Sequence, residues 1–161
     1  MAIKSKQKIL YLILHNIRSV YNAASVFRTA DGAGVKKIYL TGYTPKPTDE
    51  FGKTRNNFKK ISLGAEKTVE WEYFKNIHNL MSKFKKENIK LTALEQSPGA
   101  INYKKLRPKF PCALVAGNEV SGISQSILEK CDYIIEIPMR GKKESLNVSV
   151  AIGIALYEIL K

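Results

Sequence analysis

A segment in the last quarter of the chain is rich in groups that could bind a ligand. Residues 137–151 read IPMRGKKESLNVSVA. The apolar start predicts a strand, the centre broken by proline and glycine predicts a basic loop, and the end predicts a helix. The loop and the helix start offer backbone N–H donors and a positive dipole end, and Ser145 and Asn147 add side-chain donors and acceptors. The segment therefore predicts a binding site.

Two earlier segments carry polar side chains that could complete such a site. Residues 22–30, NAASVFRTA, contain Asn22 and Arg28, and residues 114–123, LVAGNEVSGI, contain Glu119 in a turn bounded by glycines. Each side chain also has a structural explanation, as a helix cap, a surface ion pair or a turn residue. Because all three segments lie beside predicted strand ends, we expect them to meet in one site.

Other common chemistries lack the residues that they need. The glycines of residues 31–34, DGAG, close a helix and precede a strand, which reverses the order of a dinucleotide-binding motif. His15 and His78 are the only histidines and no Cys/His cluster exists, so no metal site is predicted. We expect His15 to be structural, and Cys112 and Cys131 to be small reduced residues of the core.

The composition favours one domain, residues 1–161, with a strongly basic part. The net charge is +13, and residues 1–60 hold 12 Lys/Arg against 3 Asp/Glu. Such a field attracts polyanions, which makes nucleic acid the predicted partner, with an anionic membrane surface as the alternative. The longest apolar stretch is too short to span a bilayer, so no membrane span is predicted. The start of the chain lacks the apolar region of a signal peptide, and we expect the protein in the cytoplasm.

The periodicity of the chain predicts alternating strands and helices. Strands are predicted over residues 9–14, 37–41, 89–94, 112–116 and 133–137. Helices are predicted from a cap at Asn22 to Gly32 or Gly34, and over residues 71–87, 124–130 and 146–160. This alternation predicts an α/β fold with a mainly parallel sheet covered by helices on both faces and a site at the carboxyl ends of its strands.

Two parts of the chain predict contacts with other molecules. Residues 42–60 are expected to form a long exposed loop in which Lys53, Arg55 and Lys59 hold nucleic-acid phosphates near Arg28, and Arg140 is a further candidate for nucleic-acid binding. The last helix is apolar on more faces than one sheet can cover. It is expected to meet a second subunit, unless it is a central helix of the monomer.

The three polar segments resemble, in order and spacing, the three motifs of the SpoU/TrmH family of RNA ribose methyltransferases, within the SPOUT superfamily. The resemblance covers about residues 9–161 and includes the patterns Gly-Asn-Glu-x-x-Gly and Ile-Pro-Met-x-Gly-x-x-x-Ser-Leu-Asn-Val-Ser. Ala24 stands where the family usually has glycine.

This resemblance implies a C-terminal trefoil knot, which is rare among folds, and an obligate homodimer with the active site at its interface. It implies S-adenosylmethionine as the cofactor, and Arg28 as the main catalytic residue. Four further residues complete the catalytic set: Asn22, Glu119, Ser145 and Asn147. Nine residues would contact the cofactor: Leu94, Glu95, Ala116, Gly117, Asn118, Ile137, Met139, Ser145 and Leu146.

The implied reaction is methylation of a ribose 2′-hydroxyl. The thioether leaves as a neutral group, so no general acid is required, and the open question is which group accepts the hydroxyl proton. Either Arg28 has a depressed pKa, or it orients an RNA phosphate while another group accepts the proton. Transfer RNA is the favoured substrate and ribosomal RNA the alternative. An RNA-binding protein without catalytic activity on the same scaffold is the competing function.

Overall fold

A computed structural model describes residues 6–161, and its strands form a single sheet. The seven strands found in that range pair in parallel in the order β3-β2-β1-β6-β4-β7-β5. They are β1 (Leu10–His15), β2 (Lys37–Thr41), β3 (Glu70–Tyr73), β4 (Lys90–Leu94), β5 (Ile101–Asn102), β6 (Cys112–Ala116) and β7 (Tyr133–Glu136). The predicted parallel sheet is confirmed. The trefoil knot concerns how the chain is threaded, and it stays a prediction.

Helices cover both faces of this sheet, as the alternating pattern predicted. They are α1 (Val20–Ala33), α2 (Asn56–Ser62), α3 (Ala65–Thr68), α4 (Ile77–Lys86), α5 (Gln125–Leu128) and α6 (Val148–Ile159). Leu12 and Leu14 of β1 face one apolar cluster with α1, α2 and α6, whereas Ile13 faces another with α4 and α5. Side chains alternate across a strand, so β1 is buried on both sides. None of the helices within residues 6–161 is long and apolar enough to cross a membrane.

The start of α1 lies three residues before the predicted cap. Ser19 is the N-cap, and its side-chain oxygen accepts a hydrogen bond from the backbone N–H of Asn22 at 3.2 Å. Asn22 therefore lies inside the first turn, where its side chain is only 7% exposed. Because Ser19 is the cap, Oδ1 of Asn22 is free to accept a hydrogen bond from outside the helix.

The predicted helix over residues 71–87 is wrong in its first part. Residues 70–73 form β3, in which Trp71 pairs with Ile38 and Tyr73 with Leu40 of β2. Aromatic side chains suit a pleated surface, and this pairing outweighs the helical spacing of Tyr73 with Ile77 and Leu80. α4 begins only at Ile77, because the side chain of Asn76 caps it by accepting from the N–H groups of His78 and Asn79.

The predicted loop over residues 42–60 is also partly structured. Its end is the helix α2, which begins at Asn56 and buries Phe58 completely. The ring of Phe58 packs edge-on against Phe27 of α1 at 5.2 Å between centroids. One buried aromatic in a polar segment was too weak a signal to predict this helix. α6 likewise begins two residues later than predicted, at Val148, because Asn147 caps it.

Candidate functional site

A cavity of about 330 Å³ lies at the carboxyl ends of β4, β6 and β7. Parallel strands bring these ends to one edge of the sheet, and α6 closes the cavity from the side. Its lining includes all nine predicted cofactor-binding residues: Leu94, Glu95, Ala116, Gly117, Asn118, Ile137, Met139, Ser145 and Leu146. The structure thus assembles residues that are up to 52 positions apart in the chain into one pocket.

The turn after β6 forms one wall of this pocket and leaves no space for a side chain at Gly117. A Cβ atom there would lie 2.7 Å from both the backbone oxygen of Gly122 and Cγ1 of Ile123. The turn is closed by Asn118, whose Oδ1 accepts from the N–H groups of Val120 and Ser121 at 2.9 Å each. Glycine at 117 is therefore a steric requirement of this wall.

Glu95 links the end of β4 to the same turn. Its Oε2 accepts a hydrogen bond from the N–H of Ile123 at 2.8 Å, and its Oε1 accepts one from the N–H of Gln96 at 3.1 Å. Gly122 lies against this carboxylate in a left-handed conformation, with φ of 66°. Two strands and one turn thus hold the floor of the pocket rigidly.

A hydrogen-bonded network beside the pocket joins the three polar segments. Oε1 of Glu119 accepts from Nδ2 of Asn22 and from the N–H of Ser19, both at 3.0 Å, and Oε2 accepts from the N–H of Arg18 at 2.9 Å. Oδ1 of Asn22 in turn accepts from Nδ2 of Asn147 at 3.2 Å. The three segments therefore lie together, as expected, and hydrogen bonds between the side chains of Asn22, Glu119 and Asn147 join them.

The hydrogen bonds determine the ionisation of Glu119. Partial burial alone raises the pKa of this carboxyl, but the donors on Asn22, Arg18 and Ser19 outweigh it and hold the pKa below its ordinary value. A carboxylate with a lowered pKa is ionised at neutral pH and is a weak proton acceptor. Glu119 is thus suited to orient donors and unsuited to act as the general base.

Ser145 and Asn147 lie on the α6 side of the site. Oδ1 of Asn147 accepts from the N–H groups of Ser149 at 2.8 Å and Val150 at 3.4 Å, which caps α6. Its Nδ2 remains available for Asn22. Ser145 lines the pocket and is exposed, so it is accessible to a ligand.

Arg28 is not among the residues that line the pocket of its own chain. It lies on an exposed face of α1 that it shares, by helical spacing, with Tyr21 and Gly32. A Cβ atom at Gly32 would lie 3.1 Å from the hydroxyl of Tyr157 on α6, so this face of α1 adjoins α6. The expected contact of Arg28 with the other site residues is not made within the chain.

The four candidate RNA-binding residues are all exposed: Lys53, Arg55, Lys59 and Arg140. Lys53 and Arg55 lie on a tight hairpin in which Thr48 and Thr54 pair as an antiparallel bridge. Oδ1 of Asp49 accepts from the N–H of Lys53 at 3.0 Å, and Nε of Arg55 donates to the backbone oxygen of Thr48 at 3.3 Å. The basic segment is therefore ordered.

The remaining candidates from the sequence have structural roles. Nδ1 of His15 lies 2.8 Å from Oγ1 of Thr41, and burial, with the nearby His78, lowers its pKa. Cys112 and Cys131 are free thiols, and burial raises the pKa of each to about 12. Within the described part of the chain, no group of three or more His, Cys, Asp or Glu residues is arranged to hold a metal ion.

Sequence reasoning missed several residues that line the pocket. These include Gln96, Val120, Ser121, Gly122, Glu136, Glu144, Val148 and Ala151. Most adjoin a predicted residue within its motif, and that adjacency was the available signal. It also missed that Asn118 binds the hydroxyl of Tyr43, a residue outside all three motifs.

A comparison with protein families identifies this architecture. Residues 9–157 match the model of the SpoU rRNA Methylase family. The chain belongs to this family. The match includes all three polar segments and the whole pocket, so the resemblance noted in the sequence is confirmed.

Curated relatives in the SpoU family include enzymes that act on two kinds of RNA. The chain is 35% identical over 156 residues to the tRNA (guanosine(18)-2′-O)-methyltransferase of Aquifex aeolicus, covering 97% of this chain and 71% of that protein. It is 33% identical over 152 residues to the 23S rRNA (guanosine-2′-O-)-methyltransferase RlmB of Salmonella typhimurium, covering 93% and 59%. The chain thus spans less than two thirds of the length of several relatives.

Solved structures of SpoU methyltransferases share the fold. The TrmH/SpoU tRNA modifying enzyme of A. aeolicus superposes with a TM-score of 0.82 at 33% identity, covering 96% of this chain and 75% of that one. AviRb from Streptomyces viridochromogenes, in complex with the cofactor AdoMet, gives a TM-score of 0.84 at 23% identity, covering 98% and 62%. At that lower identity the likeness establishes the fold alone.

Proposed function

We propose that this single-domain chain is an S-adenosylmethionine-dependent RNA methyltransferase that modifies a ribose 2′-hydroxyl. One observation carries the proposal. The pocket at the strand ends contains all nine expected cofactor residues, and the network of Asn22, Glu119 and Asn147 lies directly beside it. Membership of the SpoU family supports the same activity.

The pocket has the chemistry that S-adenosylmethionine requires. Leu94, Ile137 and Met139 give it an apolar lining suited to an adenine ring. Four carboxylates also line it and favour a ligand that carries positive charge: Glu95, Glu119, Glu136 and Glu144. The cofactor, a sulfonium that supplies an electrophilic methyl group when bound, matches both features.

The residues of the chain would act mainly by positioning the ribose. Ser145 lines the pocket and could orient a substrate, while Asn147 fixes the start of α6 and binds Asn22. Holding two reactants in alignment supplies on the order of several kcal/mol of catalysis. Glu119 is too weakly basic to accept the hydroxyl proton, so we assign it to the support of Asn22. Arg28 is then the remaining candidate to act at the hydroxyl or at the adjacent phosphate.

We also propose that the enzyme is a homodimer, because Arg28 and part of the apolar surface of α6 are exposed in the described part of the chain. Val150 is 51% exposed and Tyr157 is 58% exposed, and with Ile154 they form one stripe along α6. This stripe adjoins the face of α1 that carries Arg28. A second copy packed there would cover the stripe and bring Arg28 of the partner subunit towards the pocket.

Transfer RNA remains the favoured substrate and ribosomal RNA the alternative. The relative with 35% identity, which this chain covers over 71% of its length, is named as a tRNA methyltransferase. The RlmB relative of Salmonella typhimurium is longer and acts on 23S rRNA. An enzyme acting on either RNA would work in the cytoplasm, and we propose that it needs no metal.

Transfer of a labelled methyl group tests the activity directly. RNA from a strain that lacks the gene is incubated with the protein and methyl-labelled S-adenosylmethionine, and the labelled product is then hydrolysed in alkali. Methylation of the 2′-oxygen blocks alkaline cleavage of the next bond, so the label should appear in dinucleotides. A substrate with a 2′-deoxyribose at the mapped position is the control and should accept no label. RNA binding without any transfer would favour the non-catalytic alternative.

A further inference from the structure

Tyr43 has a largely exposed ring that is nevertheless held in place at both ends. The residue is 61% exposed. Its backbone N–H donates to Oδ1 of Asn16 at 3.1 Å, and its hydroxyl accepts from Nδ2 of Asn118 at 3.0 Å. The same Nδ2 donates to the backbone oxygen of Asn16 at 3.0 Å, so Asn16, Tyr43 and Asn118 form a closed triangle of contacts. An exposed tyrosine with no such bonds would change rotamers freely.

The backbone beneath Tyr43 adopts uncommon conformations that maintain this geometry. Asn16 has φ of 55° and Gly42 has φ of 62°. A Cβ atom at Gly42 would lie 1.8 Å from Oδ1 of Asn16, so only glycine fits between the two strand ends. Backbone in the left-handed region costs free energy in residues other than glycine, and it is often associated with functional sites.

The ring of Tyr43 borders a cleft with aromatic and cationic walls. Lys46, Arg55 and Tyr73 also line it. Nζ of Lys46 lies 5.0 Å from the centre of the Tyr73 ring, and the Tyr73 hydroxyl donates to the backbone oxygen of Gly42 at 3.0 Å. A flat aromatic face beside two cations is the surface that nucleotides require, because bases stack and phosphates are anionic.

This cleft adjoins the proposed methyl-transfer site. Asn118 lines the cofactor pocket and also binds the hydroxyl of Tyr43. A group that rests on the Tyr43 ring is therefore separated from the pocket by one side chain. This location suits a nucleotide of the substrate next to the reacting ribose.

We propose that Tyr43 is a stacking platform for a nucleobase of the substrate RNA, with Lys46 and Arg55 contacting the adjoining phosphates. The proposal rests on the proposed function, since it names a substrate contact of the same site. The basic charge of residues 1–60, which include every residue lining the cleft except Tyr73, favours RNA over an uncharged or cationic partner. The rigid triangle of contacts reduces the entropy that the ring would lose on stacking.

Two variants separate the ring from its hydroxyl. Tyr43→Phe and Tyr43→Leu both lose the bond to Asn118, but only Tyr43→Leu also loses the aromatic face. Binding of labelled single-stranded oligoadenylate and oligouridylate is measured for both variants over a range of salt concentrations. Tyr43→Leu should bind roughly 5- to 150-fold more weakly than Tyr43→Phe, as expected for the loss of one stacked base. Stacking releases no counterions, so the salt slopes of the two variants should agree.

A third variant tests the phosphate contact. Lys46→Ala should flatten the log-log salt slope of RNA binding by about 0.7. In this background, the ratio of RNA affinities between Tyr43→Phe and Tyr43→Leu should stay unchanged. Thermal unfolding checks that the position 43 variants fold, and Tyr43→Gln replaces the leucine variant if that one does not.

Equal RNA affinities for Tyr43→Phe and Tyr43→Leu would contradict the proposal that Tyr43 stacks on a nucleobase. The cleft would then bind another kind of partner, such as a protein segment. This outcome is distinct from failure of the proposed function. Failure of the proposed function would appear as the absence of methyl transfer by the wild-type protein. It would not change the difference in RNA affinity between Tyr43→Phe and Tyr43→Leu.

Discussion

Nδ2 of Asn22 donates a hydrogen bond to Oε1 of Glu119 at 3.0 Å, although 97 positions separate the two residues in the chain. This bond joins the first turn of α1 to the turn after β6. Asn22 extends the connection to Asn147 at the start of α6. One buried amide therefore sets the relative positions of the three polar segments, which makes Asn22 an organiser of the proposed site.

The pH dependence of stability should reveal the ionised state of Glu119. The pKa of Glu119 is lowered in the folded protein, so the ionised carboxylate stabilises the fold. This stabilisation is complete above the ordinary carboxyl pKa of about 4.5, and it is lost as the pH falls through the lowered pKa. Glu119→Gln should reduce the free energy of unfolding by about 1 kcal/mol near neutral pH, since the group is only partly buried. Urea unfolding of both proteins from about pH 7 to about pH 3 measures this, and the difference should shrink towards the acid end. A difference that does not vary with pH would contradict the assignment.

The tight turn after β6 makes a steric prediction about cofactor binding. Gly117→Ala places a Cβ atom 2.7 Å from the backbone oxygen of Gly122, and overpacking of this kind costs about 1–3 kcal/mol. Calorimetry should show S-adenosylmethionine affinity reduced by about tenfold or more. The matched control is Gly141→Ala, where a Cβ atom meets nothing within 4 Å and affinity should stay at the wild-type level.

The stripe on α6 predicts the oligomeric state. A charge at Val150 or Ile154 should dissociate the proposed dimer, since it would be buried without a partner in the interface. Sedimentation should show monomers for Val150→Glu and Ile154→Glu, and dimers for the wild type and for Leu63→Glu, which changes an exposed apolar residue at the end of α2. Leu156 is unsuitable for this test, because it is completely buried within the chain. A wild-type monomer would refute the shared site.

Arg28 should affect turnover and leave cofactor binding intact. Arg28→Ala removes a group that lies outside the pocket lining, so turnover should fall by orders of magnitude while S-adenosylmethionine affinity changes little. If the site is shared, mixing this variant with Gly117→Ala should restore roughly a quarter of the wild-type activity. After random exchange of subunits, about half of the dimers contain one subunit of each variant. Each mixed dimer has one complete site, formed by the intact pocket of one subunit and the intact Arg28 of the other. Failure to restore activity after confirmed subunit exchange would place Arg28 in its own site.

The exposed basic residues of the hairpin and of α2 predict the salt dependence of RNA binding. Replacing Lys53, Arg55 and Lys59 with alanine should flatten the log-log salt slope by roughly two units, at about 0.7 per lost phosphate contact. The control carries the same change of charge on α4, where Lys83, Lys85 and Lys86 are also exposed. Fluorescence anisotropy with transfer RNA measures both slopes. Equal salt slopes in the two triple variants would show that Lys53, Arg55 and Lys59 are not the main phosphate contacts, and the RNA-binding surface would then lie elsewhere, for example around Arg140.

Local sequence patterns determined much of the architecture. Residues 112–116 form a continuous apolar run, and residues 37–41 have an apolar β-prone centre of Ile38, Tyr39 and Leu40. Their strand type follows from composition, and both strands have the predicted bounds. The polar segments could likewise be recognised because their residues lie within a few positions of one another. By contrast, Tyr73 shares helical spacing with Ile77 and Leu80 and strand spacing with Trp71, and only the pairing with β2 decided between the two.

Tertiary structure decided which side chains meet. Ser19 in place of Asn22 caps α1, which leaves Oδ1 of Asn22 free to accept from Asn147. A local pattern does not distinguish two polar residues three positions apart. The bond between Tyr43 and Asn118 depends on two strand ends brought to the same edge of the sheet by parallel pairing. Such contacts depend on directions and distances that arise only when the core packs. The sequence by itself therefore determined the secondary structure elements and the polar segments. The tertiary structure determined which of their side chains bind one another.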